Sequence, residues 1–127
     1  MNDIIRLFPY PSGEIPLKGA YLGHNLRQQA ERTGRPFVYA NFVTSLDGRI
    51  AVPPPGEMRL AVPKSTSNSR DWRLYQELAA QADLILSSGR YLRDWAEGRA
   101  QEILQIDNPA FADLREWRER HGLKPQA

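Results

Sequence analysis

Two short stretches of the chain put polar groups where a ligand could use them. In Val43-Thr44-Ser45-Leu46-Asp47-Gly48-Arg49-Ile50-Ala51, small hydroxyl residues precede a carboxylate and a glycine. If a strand ends near Val43 and Thr44, backbone groups there can approach a flat ligand, and Asp47 sets a fixed negative charge beside it. Asp-Gly between two β-like runs is also a hairpin-turn signal, and local grounds favour the turn. In Leu84-Ile85-Leu86-Ser87-Ser88-Gly89-Arg90, an apolar run ends in small residues ahead of a helix. Free N–H groups at such a junction, helped by the helix dipole and by Arg90, suit a phosphate. The plainer alternative is that Gly89 serves the turn and that Arg90 and Arg93 are solvated. The stretch is not a Gly-x-Gly-x-x-Gly fingerprint.

Other chemistries find little here. The chain of 127 residues has no cysteine, which removes disulfides, thiolate catalysis and cysteine-held zinc. His24 and His121 lack a spaced partner and read as surface residues. Seventeen cations against 15 anions give a net charge of only +2, with no basic face interleaved with aromatics, so no nucleic-acid partner is expected. The N-terminus, Met-Asn-Asp-Ile-Ile-Arg, has no secretory pattern, and no apolar run approaches the ~20 residues that span a bilayer. The expectation is a cytoplasmic protein that does not meet a membrane.

The elements that would position the two stretches can be read in order. Pro9, Pro11, Gly13 and Pro16 keep the opening from being a regular helix, so residues 1–34 read as an extended arm followed by a short helix over Leu22 to Arg32, ended by Gly34. Residues 37–44 are β-branched and aromatic and predict a strand covered on both faces. Pro53-Pro54-Pro55-Gly56 forces a loop. The polar cluster Ser65 to Ser69 supplies N-caps for a helix to Ala82, with Trp72, Tyr75, Leu78, Ala79 and Ala82 as its buried stripe. Asp83 to Gly89 predicts a second buried strand, parallel to the first, and hence an α/β fold. Helices are expected over Trp95 to Ile106 and Ala110 to Arg120. Phe111, Leu114 and Trp117 form one face of the latter, and Asp113, Arg115, Glu116, Arg118, Glu119 and Arg120 form its solvated side.

Together these pieces resemble a known family. Arg35 to Ala51 is similar to the opening strand and Ser-Leu-Asp-Gly-Arg-x-Ala signature of the riboflavin-biosynthesis pyrimidine reductases, the C-terminal domain of the bifunctional deaminase–reductase. The serine-rich linker, the Arg70-Asp71 helix and Ala82-Asp83-Leu84-Ile85-Leu86 follow in that family's order, so the likeness covers residues 35–94. It implies a dihydrofolate-reductase-like three-layer α/β/α sandwich, with residues 35–127 as the first half of the domain. It also implies NADPH as hydride donor and reduction of a ribosylamino group on a phosphorylated pyrimidine. By the same resemblance, Val43 and Thr44 lie by the nicotinamide, Ser45 and Asp47 by the substrate, and Ser88, Gly89 and Arg90 by the cofactor phosphates.

The chain departs from the family at Met58-Arg59-Leu60, where the family has Ser-x-Trp, and at Ala79, where it has a phosphate-binding arginine. It also carries Ser88-Gly89-Arg90-Tyr91 in place of Gly-x-Gly-Thr. These changes leave the substrate open between pyrimidine-like and pterin-like molecules. Few strands and no later Gly-Gly loop suggest an incomplete domain, inactive alone, that forms a homodimer or joins its other half. A non-catalytic half-domain that dimerises or binds a partner is the alternative.

Overall fold

The polar cluster before residue 69 does cap a helix. In the computed structural model, which describes residues 3–45, 47–56, 58, 60–63, 65–66 and 68–125, Asn68 Oδ1 accepts from the N–H groups of Arg70 and Asp71 at 3.0 and 2.9 Å. The helix it starts, Ser69–Gln81, follows a shorter one, Leu26–Thr33, which is α1, and is labelled α2 here. Gly34, at φ +62°, ends α1 in the left-handed conformation that favours glycine. Gly89–Ala96 forms α3 and Ala112–Arg120 forms α4 behind a short 3-10 turn, Pro109–Phe111. Leu46, Arg59 and Ser67, which belong to the signature, the Met58-Arg59-Leu60 departure and the capping cluster, lie outside the described residues.

The sheet is not where the sequence suggests. The proline-rich opening folds back as a hairpin of β1, Asp3–Arg6, and β2, Gly13–Pro16, antiparallel with Ile4 opposite Ile15. Among the described residues this is the one sheet, so the protein is mixed α/β with two strands and four α-helices. Residues 37–44 and 83–88, expected as a buried parallel pair, are not strands. Val38 is 80% exposed and Leu86 81% exposed. Strand propensity reports fit to a pleated, paired surface, and among the described residues nothing pairs with these segments. Trp95 to Ile106 is likewise not one helix. Ser88 caps α3 by accepting from Tyr91 N–H, so the helix begins earlier than expected and has ended before Gly98, at φ +68°.

The core is gathered around α2. Ala79 and Ala80 pack with Leu104, Ile106, Phe111 and Leu114, and Leu22, Trp72, Tyr75 and Ile85 flank them. An apolar stripe alone does not describe α2, because Arg73, Gln76, Glu77 and Gln81 are buried too. Gln76, Glu77 and Gln81 satisfy backbone groups that a loop would otherwise bury unpaired, and Arg73 is bonded to the Glu77 and Asp113 carboxylates. Glu77 accepts from the N–H groups of Gly19, Tyr21 and Leu22 at 2.6, 2.8 and 3.3 Å. Gln81 Oε1 accepts from Leu26 N–H at 3.0 Å, capping α1, whose own N-cap residue makes no side-chain bond. Gln76 takes Gln105 N–H and gives to the Ile103 carbonyl, at 2.8 and 2.9 Å.

Two residues expected on the solvated side of α4 are turned to other work. Arg118 is 1% exposed and donates to the carbonyls of Ala80, Ala82 and Lys124, so it closes the C-terminal end of α2. Burial lowers its pKa from the ordinary arginine value. Asp113 receives two bonds from the Arg73 guanidinium, at 2.9 and 2.5 Å. Arg115, Glu116, Glu119 and Arg120 are exposed, as expected. Arg118→Met removes the donors and leaves buried carbonyls unpaired, so it should lower the unfolding free energy by about 2–4 kcal/mol. Arg120→Met should stay within about 0.5 kcal/mol of the parent in the same urea titration.

The Arg73–Asp113 pair also sets an acid limit. The hydrogen bond from Arg73 holds the Asp113 carboxyl below its ordinary value. Burial works against the Arg73 charge, but its bonds to Asp113 and Glu77 prevail and raise its pKa. A depressed carboxyl contributes its stability fully above the unfolded pKa, about 3.9, and loses it as the pH falls through the lower folded value. Urea midpoints should therefore fall in that acid window, and Asp113→Asn should flatten this fall while lowering the neutral midpoint. An acid dependence untouched by Asp113→Asn would remove the pair from this role.

Candidate functional site

The Asp47-Gly48 segment makes the tight turn that its composition predicts. Gly48 N–H donates to the Ser45 carbonyl at 2.9 Å, and Ser45 N–H to the Arg49 carbonyl at 3.0 Å. Gly48 sits at φ +80°, where a side chain would be strained. The Asp47 carboxylate is tied into the turn by the Ser45 hydroxyl, by Arg49 N–H at 3.4 Å and by Arg49 Nε at 3.3 Å. The hydrogen bond from Ser45 is the main reason its pKa lies below the ordinary carboxylate value, so Asp47 is a negative charge at neutral pH.

The turn opens one wall of a cleft of about 250 Å³. Val43, Ser45, Asp47 and Arg49 line it on one side, with Pro63, Ser65 and Thr66 across from them in the sequence. A single antiparallel bridge between Val52 and Ala61, with bonds of 3.0 Å in both directions, brings the second segment back. Thr66 is folded onto its own loop, its hydroxyl and N–H donating to the Pro63 carbonyl at 2.8 and 3.0 Å.

Of the residues singled out in the sequence, Val43, Ser45 and Asp47 thus share one cleft. Thr44 is exposed beside it and is not part of the lining. Ser88, Gly89 and Arg90 are not in the cleft; they begin α3. Ser88 Oγ is committed to Tyr91 N–H at 3.2 Å. Arg90 donates to the Leu60 carbonyl at 2.9 Å and lies 3.8 Å from Asp94. It therefore links the α3 turn to the segment that carries Ala61. Arg49, Ser65 and Thr66 carry no role in the sequence reading. Arg49 stands in the signature, and the two hydroxyl residues sit in a cluster whose evident use is helix capping.

The arrangement limits what can be held. About 250 Å³ is below the ~300–1,000 Å³ of ordinary small-molecule sites. Arg49 is paired with Asp47 and Arg90 with Asp94, so neither is an uncommitted phosphate partner. The residues that line this cleft do not form a cradle for the whole of NADPH. Among the described residues no group of three His, Cys, Asp or Glu stands ready for a metal ion, and no helix is long and apolar enough to cross a membrane. No family model, curated protein or solved structure matches the chain.

Proposed function

We propose that this chain is the substrate-holding part of an NADPH-dependent reductase of the riboflavin-biosynthesis type. Its substrate would be a phosphoribosylamino pyrimidine or a pterin-like ring. The proposal keeps the dihydrofolate-reductase-like fold that the likeness over residues 35–94 implies for the completed domain. The observation that carries it is the meeting of Val43, Ser45 and Asp47, residues the likeness associates with ligand, in one cleft beside a carboxylate held ionised.

In this reading each residue has a limited task. Asp47 accepts hydrogen bonds from a ring N–H or amino group. The Ser45 hydroxyl and Arg49 hold that carboxylate in place, so little reorganisation is needed when the ligand arrives. Val43 supplies an apolar surface for the ring, and the Ser65 hydroxyl lies in the same lining, while the Thr66 hydroxyl is held by the Pro63 carbonyl. Delivery of hydride is assigned to no residue here, because the residues that line the cleft do not cradle the cofactor. That cradle would come from further polypeptide.

Calorimetric titration of the chain with the phosphoribosylamino pyrimidine tests the reading directly. We expect saturable binding, weakened only about two- to fivefold in Asp47→Asn, because water screens an exposed carboxylate. Asp47 is exposed and bonded within its own turn, so the urea midpoint should not move. Affinity for the pyrimidine should fall off at a lower pH than an ordinary aspartate would give, because the hydrogen bond from Ser45 lowers the Asp47 pKa. Binding indifferent to Asp47→Asn would end the assignment.

A second reading, a non-catalytic half-domain that pairs with a partner, draws on a different observation. Phe42, at 66%, and Leu84, at 71%, are exposed outside any sheet, and Val38 and Leu86 accompany them. Large apolar side chains left exposed become an interaction face where they lie together. Sedimentation separates the readings: a dimer with no ligand binding favours the partner role, and a monomer that binds the pyrimidine favours the reductase.

A further inference from the structure

The opening hairpin contributes nothing to the buried apolar cluster that α2 gathers. Its strands set Ile4 opposite Ile15 and Ile5 opposite Glu14. Among the described residues, the backbone of β1 takes one bond from outside the hairpin, given by the Arg70 guanidinium to the Asp3 carbonyl at its base. A two-stranded ribbon with no further strand or cover is marginal in water. Ile5 is 68% exposed, and Leu7, Phe8 and Tyr10 beyond it are exposed as well. The rings of Phe8 and Tyr10 meet edge to face with centroids 6.3 Å apart, so the two form a single aromatic tip.

Each strand of an antiparallel pair turns half of its N–H and C=O groups away from the other, which leaves the ribbon two edges. The β2 edge ends on Pro16, which has no N–H to offer a further strand. The β1 edge has no proline, and its charges, Asp3 and Arg6, stand at its two ends with a pair of isoleucines between them. Antiparallel pairing of β1 with its own copy about Ile5 sets Ile5 on Ile5, Asp3 opposite Leu7 and Ile4 opposite Arg6, so no like charges meet. Surface for such a contact is available. The chain exposes 9624 Å², where a folded monomer of 14.5 kDa exposes roughly 6,900 Å². The surplus, roughly 2,700 Å², is more than three times the ~800 Å² that each partner gives to a stable pair.

We infer that β1 is a dimerisation strand: a second copy of the chain lays its β1 along this edge, and two hairpins become one four-stranded antiparallel sheet. The contact is two-fold, each copy giving and receiving the same groups, so it stops at two copies. The pairing carries each tip past the base of the other β1. Phe8 and Tyr10 thus arrive where Arg70 holds the Asp3 carbonyl, and a guanidinium beside an aromatic ring adds attraction. The inference draws on neither reading of the Asp47 cleft, since no hairpin residue lines it.

Sedimentation of the whole chain at tens of micromolar should show a dimer. Ile5→Lys puts two cations face to face across the two-fold and should weaken that dimer by about tenfold or more. Ile5 is exposed in the single chain, so the urea midpoint in dilute solution should hardly move. The chain has no cysteine, so one introduced thiol reports its own position. A short thiol cross-linker should join Ile5→Cys chains and leave Ser12→Cys chains apart, because the two turns lie at opposite ends of the paired ribbons. If Ile5→Lys fails to fold, the two cysteine variants decide alone. A monomer at these concentrations overturns the inference, as does a dimer that Ile5→Lys leaves unweakened or that links through Ser12 rather than Ile5. Growth beyond two copies overturns it too, because a two-fold edge contact closes. Pyrimidine binding by the Ile5→Lys monomer is a separate readout, so failure of the dimer and failure of the reductase reading are told apart.

Discussion

Midway along α2 a carboxylate with no exposed surface holds the N-terminal part of the chain in place. Glu77 takes three backbone N–H groups from residues 19–22 and one bond, at 3.0 Å, from the Arg73 guanidinium. Taking an isolated carboxylate out of water costs several kcal/mol, and so does burying N–H groups without acceptors. Each side of this contact therefore exists because of the other. Losing one partner leaves the full desolvation of the rest, about 1–3 kcal/mol per orphaned group. Arg73 carries the same linkage onward to Asp113 on α4. The chain from residues 19–22 to the last helix is thus held through charged groups on one face of α2.

Among the described residues, side chains of α2 do much of what a central sheet does in a larger α/β protein. A strand would satisfy the backbone of its neighbours with its own N–H and C=O groups. Here Gln76 offers an amide that bonds both Ile103 and Gln105, and Gln81 does the same for Tyr21 and Leu26. Tyr39 joins its segment to the helix by donating to the Leu78 carbonyl at 2.7 Å, and burial raises its pKa. Arg118 finishes the series at the C-terminal carbonyls. The apolar cluster has six buried members among the described residues, and these polar contacts surround it.

The contrast between legible and illegible parts follows from where each signal resides. Helix α2, the turn at Asp47-Gly48 and the stop at Gly34 are local: a cap, a dipeptide and a positive φ decide them within a few residues. Residues 37–44 and 83–88 have strand composition, but a strand is a relation between segments, and composition does not say whether the other segment is present. The burial of Arg118 and Glu77 was hidden for a related reason. Periodicity assigns charge to the outside of a helix, and only the path of a distant loop, such as residues 19–22, shows that a charge is needed inside. In the cleft, Val43, Ser45 and Asp47 were visible as a signature. Ser65 and Thr66 were not, because the Val52–Ala61 bridge that returns them is tertiary.

The turn reading and the site reading of Asp47 are compatible, and their compatibility sets a condition. Ser45, Arg49 N–H and the Arg49 guanidinium use three of the carboxylate's acceptor directions, and about four are available. One direction therefore remains for a ligand, on a group already oriented at no further entropic cost. The same side chain is 58% exposed, so water competes for that direction and screens the charge. A hydrogen bond made there contributes little until the cleft is covered. Whatever covers the Asp47 cleft therefore decides its affinity.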